Sequence, residues 1–403
     1  MSILSLFENK SSQEIGELLK TDFDEFVRLK IQEALNSLLE GEIEAMFNEA
    51  FKATNADFRN GFYYRHLKTK YGTVEVKVPR DRLNLFKTQM LKPYKQVTDD
   101  VDYVVQSLYF KGMSQNEIID YISSVMHVEL SRETIGTIVK KLMHTAEVFR
   151  TRNLPKCSII YLDGTYVPLK RKYNDGKCYV EKECIEVAIG ITETGHREVL
   201  GFYPAANEGS ETWKESLDDL KRRGVGEPKL FITDGLNGLG DAIKMIFPSS
   251  KHQRCVVHIQ RNIIVGVRRS DRKEICSDFT KVYTKDTLQE SYDEFDRFID
   301  KWSPTYPKVC RNLLEVDGLF TFHEFPKACH QYIRTSNAIE SFNAVLKRSS
   351  RKRILFNGED NASLVIVQIA SKYNSDWAKR LVPFIKDLNE EERDQLGLCI
   401  IIE

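Results

Sequence analysis

Two short apolar runs in this chain each end in Asp-Gly, and few folds use such a pair together with a distant helical carboxylate. The runs are Ile159-Ile-Tyr-Leu-Asp163-Gly and Leu230-Phe-Ile-Thr-Asp234-Gly. A short apolar run closed by a turn signal predicts a buried strand, which puts each aspartate at a strand's C-terminal edge. The third acid, Glu340 in Ser336-Asn-Ala-Ile-Glu340-Ser, lies in a helical pattern, with Lys347 two turns further along the same face. Taken singly, Asp-Gly after a strand is more often a plain turn. Together, two carboxylates on strand ends and one on a helix are the residue types that hold two divalent cations over a phosphodiester.

Hard cations take oxygen ligands, so Asp163, Asp234 and Glu340 suit Mg²⁺, with Mn²⁺ expected to substitute; Cys and His would favour zinc. Asp163 is the candidate to bridge both ions, with Asp234 and Glu340 each binding one. Lys347 is placed to reach a phosphate or an end base, and Asn337 and Asn343 to orient DNA or metal-bound water. Lys347-Arg-Ser-Ser-Arg-Lys-Arg353 carries five cations in seven residues. Lys347, Arg348, Arg351, Lys352 and Arg353 are thus candidate backbone contacts whose affinity should fall with salt. Cys255-Val-Val-His258 invites a zinc reading beside His252, His323, Cys329 and His330, but no second CxxC or HxxxH completes a tetrahedral set. Zinc is not expected there. A core cysteine and a hydrogen-bonded histidine near the site are.

At 403 residues the chain is long enough for two to four domains. Hydrophobic content of 41% and charge of 29% describe a globular protein. No apolar run approaches a membrane span, and Met1-Ser-Ile-Leu-Ser-Leu-Phe-Glu lacks the basic start of a signal peptide. A cytoplasmic, nucleoid-associated protein with no membrane partner is the expectation. The eight cysteines form no CxxC pair, as free thiols in a reducing compartment would. Equal numbers of acids and bases hide an asymmetry: residues 1–56 hold 5 Lys/Arg against 11 Asp/Glu, whereas 57–95 hold 10 against 3. Local positive potential is what a nucleic-acid partner requires.

Residues 12–49 read as acidic amphipathic helix, either a core element or a homodimer face. Residues 60–82 alternate and read as a β-hairpin turning at Tyr71-Gly72, with Arg65, Lys68, Lys70, Lys77, Arg80 and Arg82 along or beside it for phosphate contact or simple solvation. A helix over 99–111, a capping box at Ser114-Gln-Asn-Glu117 and a helix over 132–150 suit a helix-turn-helix. Arg132, Glu133 and Thr134 would lie at its reading end; plain three-helix packing is the alternative. From 156 the texture is α/β, with strands at 158–163, 182–192 and 196–204, a helix at 211–223 containing Trp213, a strand at 229–233, a helix at 238–246 and a strand near 253–258. That order is RNase H-like. Residues 270–318 are helical and polar, and such an insertion explains why 106 residues separate Asp234 from Glu340 against 71 between the aspartates.

With these residues in hand, the chain resembles the Mutator-type transposases, in their bacterial insertion-sequence branch. The likeness rests on Asn60-Gly-Phe-Tyr-Tyr-Arg65, Gly72-Thr-Val-Glu-Val-Lys-Val-Pro-Arg-Asp-Arg82 and Leu108-Tyr-Phe-Lys-Gly-Met-Ser114. It continues through Asn207-Glu-Gly-Ser-Glu-Thr-Trp213, Leu220-Lys-Arg-Arg-Gly224, Thr233-Asp-Gly235, Gln253-Arg-Cys-Val-Val-His-Ile-Gln-Arg-Asn262 and Thr335-Ser-Asn-Ala-Ile-Glu-Ser-Phe-Asn343. The resemblance implies a DDE metal triad at Asp163, Asp234 and Glu340, and structural or DNA-positioning roles for Trp213, Cys255 and His258. Arg261, within the same motif, is taken as a DNA contact. It also implies Mg²⁺-dependent cleavage at element ends, transfer of the freed 3′-hydroxyl, and a circular copy-out, paste-in intermediate. The implied partners are double-stranded DNA, both terminal inverted repeats and target, and a second copy of the chain in a homodimer or larger assembly.

The expected organisation is an acidic helical region at 1–56, a basic hairpin at 57–97, a helix-turn-helix domain at 98–150, an RNase H-like core at 151–268 and 331–380 interrupted by a helical insertion at 269–330, and a tail at 381–403. Two rivals stay open. One is a domesticated, non-catalytic DNA-binding regulator, against which the intact triad counts; the other is a metal-dependent nuclease without strand transfer.

Overall fold

The computed structural model describes residues 23–51, 58–93, 95–111, 113–172, 178–205, 209–352 and 359–400. Of the acidic N-terminal helix pattern, residues 12–22 lie outside them. The chain divides into two compact units between Leu142 and Met143, inside a helix and ahead of the boundary expected at 150.

In the first unit, helix α1 (Phe23–Phe51) covers one face of a hairpin of β1 (Arg59–Thr69) and β2 (Gly72–Asp81). Alternation sorts the hairpin: Leu67, Val74, Val76 and Val78 turn inward and pack with Leu39, Ile31 and Leu35 of α1. Helix α1 is therefore a core element of this unit. Its Asn36 side chain accepts from the Lys77 backbone N–H at 2.8 Å, which fixes helix against strand. Three more helices follow, α2 (Asp99–Phe110), α3 (Gln115–Met126) and α4 (Arg132–Thr151). The capping box forms as read: Ser114 and Glu117 satisfy each other's backbone N–H. Val101, Val105, Leu108, Ile118, Ile122, Ile135 and Ile138 make the common core of α2, α3 and the start of α4.

The second unit is built on a five-stranded sheet of order β5-β4-β3-β6-β7. Strands β3 (Cys157–Lys172), β4 (Cys178–Thr192) and β5 (Arg197–Ala205) are antiparallel neighbours, while β6 (Leu230–Thr233) and β7 (Lys251–Arg254) run parallel to β3. Helices α5 (Ser210–Arg222) and α6 (Leu239–Ile246) cover one face, where Trp213, Leu217, Leu220, Leu239 and Ile243 pack on Ile160, Leu162, Leu200 and Phe231. Helix α7 (Val256–Val265) follows β7, then α8 (Arg272–Tyr283), α9 (Leu288–Trp302) and α10 (Pro307–Leu314) form the polar helical stretch. The short α11 (His330–Ile333) leads into α12 (Asn337–Lys352), which packs on β3 and β4. Helix α13 (Glu359–Trp377) packs on β5, and α14 (Glu390–Leu396) closes the described chain.

Strand β7 is one edge of the sheet, and its outer side is met by backbone: the Arg254 N–H donates to the Gly318 carbonyl at 2.9 Å. Gly318 sits at φ +76°, and an added Cβ would lie 2.6 Å from the His252 carbonyl oxygen. Gly318→Ala should therefore destabilise the protein by about 1–3 kcal/mol, measured as a lowered Tm. Gly41→Ala, on α1 with nothing within 4 Å of the added methyl, should leave Tm unchanged or raised.

Candidate active site

The parallel register of β3 with β6 runs from Ile159 opposite Leu230 to Leu162 opposite Thr233. The residue that follows the paired stretch on each side is an aspartate, Asp163 still within β3 and Asp234 just past β6, so the register makes them neighbours. Alternation then fixes the face: Ile160 and Leu162 point into the core under α5 and α6, and Tyr161 and Asp163 point to the other face, towards α11 and α12. One expectation is corrected. Asp163 does not end its strand, because β3 continues to Lys172 against β4, with Asp163 opposite Val187 and Gly164 opposite Glu186. Only the pairing with β6 stops there. Asp234 does begin a turn, its Oδ1 accepting from the Leu236 N–H at 3.3 Å.

Helix α12 is seated by Ile339, Phe342 and Leu346, buried at helical spacing. That seating puts Asn343 over β3, where its Nδ2 donates to Asp163 Oδ2 at 2.9 Å. Asn343 is only 4% exposed, and its Oδ1 has no partner among the described residues. Burial pushes the Asp163 carboxyl up to about 7, Asp234 and more weakly Glu340 add to the rise, and His258 and the Asn343 bond oppose it. Asp163 thus feels both of the other carboxylates.

Glu340, one turn before Asn343, is held by Arg261 of α7 through both guanidinium amino groups, at 2.9 and 3.1 Å. His258 Nε2 lies 3.8 Å from the same carboxylate. The Cys-x-x-His element joins the two helices. Cys255 Sγ accepts from the Ser336 backbone N–H at 3.3 Å and hydroxyl at 3.2 Å, and that hydroxyl lies 3.4 Å from His258 Nδ1. Burial would raise the Cys255 thiol, but hydrogen bonds from His258 and Ser336 bring it below its ordinary value; the bond to Cys255 in turn raises His258.

The strand expected near 253–258 is also corrected: β7 ends at Arg254, and Cys255 caps α7. Val256, Ile259 and Ile263 are buried at helical spacing, which overrides the apolar run read as strand.

The remaining candidates separate by place. On the hairpin Lys70, Lys77, Arg80 and Arg82 are exposed, and Lys77, Arg80 and Arg82 lie over the rings of Phe62, Tyr63 and Phe58. Lys68 is half-buried, and Arg65 donates to the Lys92 and Lys95 carbonyls. Arg132 is exposed at the start of α4, while the Thr134 hydroxyl bonds Ser131. These residues belong to the first unit, the carboxylates to the second. Asn337, Lys347 and Arg348 are exposed on α12; the Arg351 and Lys352 side chains, and Arg353 entirely, lie outside the described residues. Trp213 is buried core beneath the sheet. Two residues that sequence alone does not single out are Ser336, which ties α12 to α7, and Arg254, whose guanidinium lines a neighbouring cavity.

The donor set fits a hard divalent ion: two adjacent aspartates, a glutamate beside them and an orphaned buried amide oxygen. Among the described residues, no three or more His, Cys, Asp or Glu side chains form a ready-made metal cage. Glu340 is turned to Arg261. The raised Asp163 carboxyl has a consequence for stability. Its folded value of about 7 exceeds its ordinary 3.8, so the folded state holds the proton longer and stability is lost as pH rises through that window. In chelator at about pH 8, Asp163→Asn should be more stable than wild type by on the order of a few kcal/mol, a gain that vanishes towards about pH 4. Thermal unfolding at both pH values checks this; an equal Tm difference at the two would contradict it.

Comparison with known proteins gives the chain its family. The profile described as Transposase, Mutator family, matches residues 4–380. The chain is 36% identical over 367 residues to the transposase for insertion sequence element IS905 of Lactococcus lactis, covering 90% of this chain and 92% of that protein. It is 34% identical over 358 residues to the transposase for IS1201 of Lactobacillus helveticus, covering 87% and 95%. The Drosophila P element transposase strand transfer complex aligns over 70% of this chain and 81% of its own at 8% identity, with a TM-score of 0.26, a level from which no shared fold follows. On the family match and the length of these alignments, the chain belongs to the Mutator family of transposases, among those of bacterial insertion sequences.

Proposed function

We propose that this transposase cuts DNA at its element's ends and joins the freed 3′-hydroxyl to a second phosphodiester through a metal-dependent site of Asp163, Asp234 and Glu340. The observation that carries the reading is the β3–β6 register, which makes the two aspartates neighbours under the helix that bears Glu340. The sheet with α12 corresponds in this reading to an RNase H-like core, and α8 to α10 to its helical insertion. Mg²⁺, replaceable by Mn²⁺, would be held by the three carboxylates, and when bound it supplies the charge that activates a water or 3′-hydroxyl and stabilises the leaving oxygen.

The chain's own side chains prepare that site. Asn343 fixes the orientation of Asp163 by donating to one carboxylate oxygen, which leaves the other for a ligand. The Cys255–Ser336–His258 contacts hold the start of α12 against α7, so Glu340 is presented at a set height over β3. Arg261 neutralises Glu340 until an arriving phosphate competes for its guanidinium. In the first unit, Lys77, Arg80 and Arg82 with their exposed aromatic partners, and Arg132 at the head of α4, are proposed contacts to the terminal inverted repeats. Synapsis of two ends calls for a homodimer or larger assembly.

The test is an end-DNA oligonucleotide with Mg²⁺. Wild type should nick and then yield joined product, and Asp163→Asn, Asp234→Asn and Glu340→Gln should each lose cleavage by at least about 100-fold while still binding the DNA. Full cleavage by any one variant would remove that residue from the site. Nicking without joining would indicate a nuclease, and binding without nicking a regulator.

A further inference from the structure

A cavity of about 640 Å³ opens beside the candidate active site, on the α7 and α10 side of the Asp234 turn. Its size falls within the about 300–1,000 Å³ of pockets that enclose a small ligand. Buried Ile259, Ile263 and Leu313 form an apolar wall. Asn237, Asn262 and Asn312 stand exposed at its rim, with Lys308 and a single carboxylate, Glu315.

Arg254 lines the same cavity. Its Nε is buried and has no hydrogen-bond partner among the described residues. Gly235 is what lets the guanidinium lie there: an added Cβ would come within 2.0 Å of Arg254 Nε and Nη2. Asp234 and Asp317 are near enough to act on its charge, yet neither hydrogen-bonds it. A half-buried guanidinium with an unmet donor is costly to leave so, and an anion is its natural complement. An apolar wall, amides able to read a base edge and two cations describe the chemistry of one nucleotide rather than of a duplex, which is too wide to enter.

We propose that this cavity takes a single unpaired nucleotide of the substrate DNA next to the scissile phosphate, its phosphate on Arg254 and Lys308 and its base against Ile263 and Leu313. The proposal rests on the reading of Asp234 as an active-site residue, since that is what places the scissile bond nearby. It deepens that reading: the substrate must be locally unstacked at the cut, and Arg254 is a positioning residue for it.

The experiment uses the full chain bound to a duplex carrying the terminal inverted repeat that flanks this reading frame, in Ca²⁺ to suppress cleavage. A fluorescent adenine analogue replaces each base near the cut in turn. One position should brighten severalfold on binding, as an unstacked base does. Arg254→Gln should abolish that signal and weaken binding about tenfold, and the surface variant Lys308→Ala should reduce it with Tm unchanged. No brightening at any position, or full brightening in both variants, overturns the proposal. A free mononucleotide carries the same chemistry: if thymidine 5′-monophosphate raises Tm of wild type but not of Arg254→Gln while the DNA never brightens, the cavity serves free nucleotides and the proposal fails. Brightening does not depend on the carboxylates, so its loss with intact cleavage by wild type counts against the cavity, and its presence with Glu340→Gln cleaving normally counts against the metal site.

Discussion

Parallel pairing of four residues of β3 with four of β6 sets the position of the two aspartates on which the site of the second unit is built. Both strands are fully buried along that pairing, so a slip by one residue would move Ile160 and Leu162 off the core under α5 and α6 and bring Tyr161 and Asp163 towards it. Hydrophobic burial thereby locks a register whose next residue on each side is an aspartate. The aspartates carry no part of that cost themselves. Asp163 does sit in a costly place, 7% exposed and among like charges, and its carboxyl is pushed up accordingly. Strain of this kind concentrates where function needs it.

The third acid is placed by a different device. Glu340 reaches the sheet through α12, whose start is tied to α7 by the Cys255–Ser336–His258 contacts and by the Val256 N–H donating to the Arg334 carbonyl at 2.9 Å. A Cys-x-x-His spacing puts both side chains on the first turn of a helix, facing the same neighbour. Here that neighbour is a helix start, and the element works as a clasp between two segments far apart in sequence. Arg261, one turn further along α7, meets Glu340 for the same reason.

Much of this was legible in the sequence, and the misreadings have physical causes. Apolar runs closed by Asp-Gly located β3 and β6, and the capping box located the start of α3, because those signals are local. By sequence Asp163 reads as a strand end because Gly164 looks like a turn; only the long antiparallel partner β4, invisible in a local window, carries the strand past it. Cys255-Val-Val-His258 reads as strand because a short apolar run has no period of its own, and the deciding residues Ile259 and Ile263 lie beyond it. Asn343 was noticed as a neighbour of Glu340, but its bond to Asp163 spans 180 residues of sequence and follows only from packing α12 on β3. Arg254 stands within a motif but carries no signal of its own: one arginine among 59 lysines and arginines means nothing until the glycine beneath it is seen.

Three carboxylates from β3, the β6 turn and α12 are proposed to make one metal site. Titration of the full chain with Mn²⁺, followed by electron paramagnetic resonance of the free ion, tests it without relying on DNA or turnover. Saturable binding is expected in wild type, lost in Asp163→Asn and weakened in Glu340→Gln. Binding unchanged in both variants would contradict it.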